Sequence, residues 1–393
     1  MIAWSNGFGA LGLATMWMSS PIGRLLSVIG FSTWTCTRWT MIGHHICHGG
    51  YNRQDDEKYG GTGRFTAQRF AVGSLVRRCR DWLDWMLPEA WNVEHNNLHH
   101  YRLGENGDPD LVERNMDLIR GLGLPMPLKY GVVAALAAMW KWYYYAPNTF
   151  KQLRVQQMRK EGAIISEEDA HEAITLPHVL FGGGRRYGMG PLTFMRKVMG
   201  PMLFLRFFAL PAPLLLLSPA YYAAAVTNLL LADVLSNIHS FIIIATNHCG
   251  DDMYKFENSC TPRSGTFYMR AVTSSSNFRT SNGVDANGKA RKLHGFRADV
   301  NDFFHGWLNY QIEHHAFPQL SMLSYQKAAP EMRAICEKHG VPYVQNNVFR
   351  RLKKTADIMV GATSMLPFEE SWEYEKDRFT WADQKLPANM GAQ

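Results

Sequence analysis

Three short histidine runs, each set beside an apolar stretch long enough to enter a bilayer, restrict this chain more than any other feature. They are His44-His45-Ile46-Cys47-His48, His95-Asn96-Asn97-Leu98-His99-His100 and Gln311-Ile312-Glu313-His314-His315. Eight of the 15 histidines fall within them. Imidazole is a borderline ligand suited to iron, zinc and copper. If runs so widely separated share one centre at a membrane face, every apolar excursion between them must return to the same side.

The spacing supports ligation. Residues four apart on an α-helix share one face. His44 and His48 are related in this way, and His95 and His99 repeat the relation, with His100 on the neighbouring face. Gln311, His314 and His315 fall at i, i+3 and i+4. Each run is expected to aim two or three side chains at one point. Isolated histidines such as His171, His178, His294 and His339 read as solvated or hydrogen-bonded side chains.

A length of 393 residues would allow two or three soluble domains, but the apolar pattern argues for one membrane domain. The mean hydropathy of −0.22 is low for a transporter-like bundle and fits a short anchor carrying a large polar cap. The net charge of +7 would suit nucleic acid or an anionic membrane face. The basic residues lie beside the apolar segments, which favours the membrane surface and no nucleic acid. The six cysteines form no C-x-x-C pair and read as reduced, cytosolic usage. Cys47 and Cys249 adjoin histidines, and packing is the plainer reading of both.

Ile2 to Ser20 is apolar and uncharged, with little in front of it, as in a chain that has lost a soluble N-terminal portion. After a turn at Pro21 and Gly23, Ile22 to Ile42 forms a second span, with Arg24 and Arg38 snorkelling at its ends. Arg53, Lys58, Arg64, Arg69, Arg77, Arg78 and Arg80 follow, which places this stretch in the cytosol or its equivalent. Phe65 to Trp91, with Trp82, Trp85 and Trp91, suits helices lying in the interface. Tyr130 to Tyr145 is short of the roughly 20 residues a span needs. A crossing there would also carry the third histidine run to the wrong side, so it is expected at the interface or against the cap. Pro201 to Ser218 and Tyr221 to Thr246 form a second hairpin, with the uncharged Pro219-Ala220 at its far end.

The expected fold is therefore all-α and integral to a membrane. Four transmembrane helices (about 2–20, 22–42, 201–218 and 221–246) form two hairpins, and a large cytosolic helical cap holds a histidine-rich di-metal site. Residues 1–360 make one domain and 361–393 a polar surface tail. Glu161 to Asp169 reads as a polar insertion and Arg263 to Lys292 as a flexible loop. The last span contains Asp233, Asn237 and His239, polar groups expected to face the bundle interior. His248 ends this helix on the cluster side. His239 lies about 13 Å deeper along the helix axis, so His248 is taken as the ligand.

Taken together, the three runs resemble the histidine boxes of the membrane-bound fatty acid desaturases, H-x3/4-H, H-x2/3-H-H and (H/Q)-x2/3-H-H, in order and spacing. The resemblance covers roughly Ile22 to Leu352 and includes Asp108-Pro109-Asp110. The glutamine-led third box, within Leu308 to Pro318, looks like the front-end acyl-lipid and sphingolipid branch. Many members of that branch carry a fused haem domain of the cytochrome b5 type marked by H-P-G-G. No such motif occurs here, and His48-Gly49-Gly50 belongs to the first box. Either a separate electron donor, of the cytochrome b5 or ferredoxin type, is then expected, or its domain is missing from this chain. The resemblance implies two iron ions, dioxygen as co-substrate, and His44, His48, His95, His99, His100, His248, His314 and His315 as ligands, with Gln311 in or beside them. His45 is an outer group. Glu94, Asp108, Asp251, Asp252 and Glu313 are nearby acids able to hold the ligands' other ring nitrogens.

The implied reaction is oxygen-dependent desaturation of a lipid acyl chain, with membrane lipids as surroundings. Trp91, Trp307 and the apolar faces of the last two spans are candidates to line the acyl tunnel, and Arg206 to snorkel or meet a headgroup. A membrane di-iron hydroxylase is the nearest rival. A metal transporter would place acids and histidines in the middle of several spans, and a soluble ferritin-like site would need two E-x-x-H motifs, of which only Glu168 to His171 occurs. The sequence does not choose between endoplasmic reticulum, plastid and bacterial membranes.

Overall fold

The computed structural model describes residues 1–279 and 296–379. Helices dominate. Strands among the described residues form only three two-stranded ladders: Tyr254–Lys255 with Leu366–Pro367, Ser259–Cys260 with Arg378–Phe379, and Asn277–Phe278 with Gln345–Asn346.

The first hairpin joins Ile2–Thr15 to a helix that runs unbroken over 21–47. Pro21 opens the second helix and Ser20 Oγ accepts from the Gly23 N–H at 3.3 Å, a capped start. Small residues let the two backbones touch. A Cβ on Gly30 would lie 2.6 Å from Gly12 N and 2.8 Å from Phe8 O, a close approach that only glycine permits. Ser5 and Thr37 hydroxyls meet at 2.9 Å across the same seam. Arg38 does not snorkel: it is buried and donates to Asn6 Oδ1 of the facing helix.

Two helices among the described residues are long and apolar enough to cross a membrane, Pro191–Leu215 and Pro219–Asn247. The former begins before Pro201 because Leu192, Phe194 and Met195 extend its apolar surface backwards. Ile2–Thr15 has 14 residues, about 21 Å at 1.5 Å per residue, against a hydrocarbon core of about 30 Å. Arg206, expected to snorkel or reach a headgroup, is instead buried. It pairs with Asp233 of the next helix and donates to Thr35 Oγ1 at 2.8 Å and Leu83 O at 2.5 Å. A buried guanidinium is least costly opposite a carboxylate.

The stretch expected near 130–145 is part of one continuous helix over 126–160. Its apolar half lies along Pro219–Asn247, where Trp140 Nε1 donates to Asn237 O at 2.9 Å and the Lys141 N–H to Asn237 Oδ1 at 3.0 Å. Its polar half runs beneath the second histidine run, with Asn148, Thr149 and Gln152 buried. Trp82, Trp85 and Trp91, expected at the lipid interface, are buried with Trp39 and Tyr145 in the main core under the histidines. Spacing alone could not tell a core tryptophan from an interfacial one.

Arg263 to Lys292 is not a loop where it is described. Gly265–Thr273 is a helix capped by Ser264 Oγ, which accepts from the Phe267 N–H at 3.1 Å. Arg270 in it forms a buried ion pair with Glu105 at 2.9 Å, and Ser274 to Phe278 are buried beyond it. The remainder, with His294, lies outside the described residues. So does 380–393 of the expected tail, whereas 361–379 packs back through Met365 and two of the ladders.

Candidate metal centre

The helix over 21–47 changes from α to π geometry at Arg38–Gly43, just before the first histidine run. A second π segment, Asn92–His99, runs through the second. Such segments cluster at functional sites because they re-aim side chains. Their repeat relates residues five apart, and this alters the expected pairing. His95 meets His100, Nε2 to Nε2 at 3.3 Å, while His99 turns to a different group. The third run is an ordinary helix, Gln311–Ala316, so Gln311 and His315 share one face and His314 the next.

The outcome is two adjoining groups of histidine nitrogens rather than one point, with His95, His99 and Asp110 forming a third cluster across the junction. His44, His48, His95, His100 and His314 form the first, with their nitrogens all within 4.8 Å of one another. His99, His248 and His315 form the second. The imidazoles of His100 and His315 stack at 4.4 Å between centroids where the groups meet. The Gln311 amide nitrogen lies 3.1 Å from His248 Nε2 and 3.4 Å from His315 Nε2, and its buried Oε1 has no partner. All nine residues singled out from the sequence are thus brought together, divided between two centres.

In the first group Nε2 of His44 lies 2.9 Å from that of His314 and 3.0 Å from that of His95, and His314 lies 3.1 Å from His100. The His44 Nδ1 hydrogen serves Thr40 O at 3.2 Å, which leaves a lone pair on Nε2 facing the other rings. Burial first, and the neighbouring imidazoles second, hold His44, His95, His100 and His314 well below the usual histidine range. Neutral imidazole is the form that binds metals. Nitrogens about 2.0–2.1 Å from one cation stand roughly 3 Å apart at right angles, which these spacings match. Donor type, protonation state and spacing therefore fit a metal ion. In the second group His99 Nε2, His248 Nδ1 and His315 Nδ1 are buried without hydrogen-bond partners.

The surrounding shell is only partly as expected. Asp108 Oδ1 accepts from His99 Nδ1 at 2.9 Å; burial pulls that imidazole down, but the carboxylate more than restores it, and its pKa is raised. Glu94 is buried, and burial followed by the Asp110 and Asp108 charges pushes its carboxyl well up. Asp251 and Asp252 do not serve the histidines, because Lys354 and Arg351 take them. Glu313 bonds Asn277 and Tyr343 instead. His45 gives Nδ1 to Met41 O at 2.7 Å, and His239 bonds Phe304 O at 2.7 Å, away from both groups. Tyr325, whose hydroxyl lies 3.3 Å from His314 Nδ1, was not legible in advance, since nothing in its local sequence marks it.

A narrow cavity of about 20 Å3, room for about one water, opens between the groups. Trp39, Thr40, Trp91, Tyr145, Ile244 and Leu308 wall it beside His44, His95, His248 and Gln311. Trp91 and Ile244 line this small cavity and Trp307 does not, but it is too small to be the expected acyl tunnel.

Fold and centre together define a helical, membrane-associated protein with a histidine-lined site compatible with metal. The family model described as fatty acid desaturase matches residues 16–347, and the chain belongs to the fatty acid desaturase family. Curated relatives include a fatty acid desaturase 2-like protein of Mus musculus, 41% identical over 69 residues (16% of this chain and 14% of the relative). Fatty acid desaturase 3 of Bos taurus is 38% identical over 68 residues (16% and 15%), and an acyl-lipid (9-3)-desaturase of Borago officinalis 35% over 79 residues (18% and 18%). The aligned stretches thus span 14–18% of these relatives' own lengths. No solved structure matches the chain.

Proposed function

We propose that this protein is a membrane-bound, oxygen-dependent desaturase of lipid acyl chains with a di-iron centre. His44, His48, His95, His100 and His314 would hold one iron, and His99, His248 and His315 the other, with Gln311 beside it. The observation that carries this reading is the set of buried imidazoles whose Nε2 atoms converge at 2.9–3.3 Å, an arrangement that a shared cation satisfies and mutual hydrogen bonding does not. The iron pair, when bound and reduced, supplies with dioxygen the redox power to break an unactivated C–H bond, which no acid–base side chain can do.

The chain's own residues do the rest. Asp108 fixes the His99 tautomer through Nδ1, and Trp91 stacks on His95 at 4.4 Å to set that ring's plane. Trp39, Trp91, Tyr145, Ile244 and Leu308 exclude bulk water, and their side chains must shift for a methylene chain to lie among them. Both hairpins would return the chain to the histidine face, with the boxes on the cytosolic side. The second hairpin would cross the bilayer, and the first, whose Ile2–Thr15 helix is short for a full span, would complete four spans only where the bilayer thins around it. Residues 1–360 act as one unit, and electrons come from a donor of the cytochrome b5 or ferredoxin type. A transporter is less well supported, because Asp233 is spent on Arg206 rather than open to a path.

The test is expression in a host of known lipid content, with fatty-acid methyl-ester analysis and double-bond location. A new unsaturated acid supports the proposal; a hydroxylated product would make the protein a hydroxylase, and no product with an iron-free protein would end the di-iron reading. A related expectation concerns Asp108. Loss of an outer hydrogen-bond partner typically weakens metal binding about 10–100-fold. Asp108→Ala should therefore weaken the iron beside His99 by that factor in a chelator competition, with the iron beside His44 little affected.

A further inference from the structure

The third histidine run lies on a helix of six residues, Gln311–Ala316, whose preceding residue Tyr310 makes no side-chain cap. A helix this short does not hold its own orientation in water, and its first N–H groups need outside acceptors. Yet Gln311, His314 and His315 on it reach into both nitrogen groups. Something else must aim them.

Asn277 occupies the place where that aim is set. It is fully buried, and its backbone N–H donates to Val344 O at 3.0 Å. Its side-chain Oδ1 accepts from the Ile312 N–H at 3.0 Å, a cap delivered from another part of the chain. Its Nδ2 donates to Glu313 Oε2 at 2.9 Å and to the Tyr343 oxygen at 2.6 Å, while the Tyr343 hydroxyl donates to Glu313 Oε1 at 2.7 Å. Donors and acceptors match throughout, so the amide has one orientation. Glu313 lies between Ile312 and His314, and holding both its peptide neighbour and its carboxylate fixes the helix in rotation as well as position.

The residue before the Asn277–Phe278 strand reaches the other side of the second group. The Ser276 N–H donates to Asn247 O at 3.0 Å, one residue before His248, and Asn247 Nδ2 donates to Leu308 O at 2.8 Å. Ser276–Asn277 is thus a strap between the end of Pro219–Asn247, which supplies His248, and the short helix, which supplies Gln311 and His315. Of the first group only His314 rides on the short helix; His44, His48, His95 and His100 come from the first and second histidine runs, so the first ion should be loosened less than the second.

We propose that Asn277 is a positioning residue for the second ion, setting His248 and His315 at the separation that ion requires, with Tyr343 supporting it through Glu313. The inference rests on the two-iron reading. It predicts an unequal effect, because a general loss of structure would release both ions alike. The experiment is iron content and stepwise chelator release for the purified, full-length protein in detergent, with helix content followed by circular dichroism. In Asn277→Ala the second iron should bind about 10–100-fold more weakly, the range for lost outer partners, so that iron falls from two towards one per chain. Adding His99→Ala should then remove nothing more, whereas adding His44→Ala should remove the iron that is left. If Asn277→Ala does not fold, Tyr343→Phe, which removes one hydroxyl from the clamp, should show the same unequal release in smaller measure. Two equally tight irons in the folded variants, or parallel loss of both, would overturn the role of Asn277. A wild-type protein that takes up no iron would overturn the di-iron reading itself.

Discussion

His314→Ala is expected to abolish any new unsaturated product and to empty the first group of its iron. His314 stands at the middle of that group, its Nε2 2.9 Å from that of His44 and 3.1 Å from that of His100, with its ring 4.8 Å from that of His48. It is also the only member that the third run gives to this group. Removing a direct donor should exceed the roughly 10–100-fold cost in affinity of losing an outer partner. No other side chain can take over the redox step, so activity should not fall back to a slower route. Tyr325→Phe, which removes only the hydroxyl 3.3 Å from His314 Nδ1, should be much milder. Methyl-ester analysis and iron determination on the same preparations check both. Full activity in His314→Ala would show that the ligand assignment is wrong.

Asp84→Ala should produce the largest loss of stability. Asp84 and Lys141 are both fully buried and paired at 2.9 Å, with Ser236 Oγ a further 3.1 Å contact of the ammonium. The pair itself adds little net stability, because desolvating two ions offsets most of their attraction, but removing one partner leaves a buried charge and costs about 3–5 kcal/mol. The effect should appear as a lowered thermal midpoint in detergent. Asp84→Leu combined with Lys141→Met, which removes both charges, should recover most of it. A single variant as stable as the parent would mean that water reaches Lys141. The pair matters for position as well, since it joins the 126–160 helix to the segment ahead of the second histidine run.

The clustering of the histidines was readable from the chain because its signal is chemical identity at short spacing. His44 and His48, or Gln311 and His315, lie one helical turn apart whatever surrounds them. Asp108 was readable for the same reason, standing close in sequence to the His99 that it holds. The pairing within the second run was readable only in part: α-helical spacing joins His95 to His99, whose rings do stack, but the π geometry of Asn92–His99 also brings His95 Nε2 to His100 Nε2. That geometry is a response to packing, not to local preference. Arg206, Trp82 and Trp85 were misplaced for a related reason. A basic or aromatic residue beside an apolar stretch has one appearance in sequence whether it meets a headgroup or a buried carboxylate, and only the partner decides.

By itself, the sequence determined that histidines on three distant segments were available as ligands, that apolar stretches separated them, and that the chain resembled the family whose model it matches. Composition and spacing are local quantities, and these conclusions required nothing more. Tertiary structure alone divided the histidines between two groups, buried Arg206 against Asp233, and strung Asn277 between His248 and the third run. Each of these depends on contacts across tens to hundreds of residues, where the burial of a charge or an amide is tolerated only when its partner arrives from elsewhere in the fold.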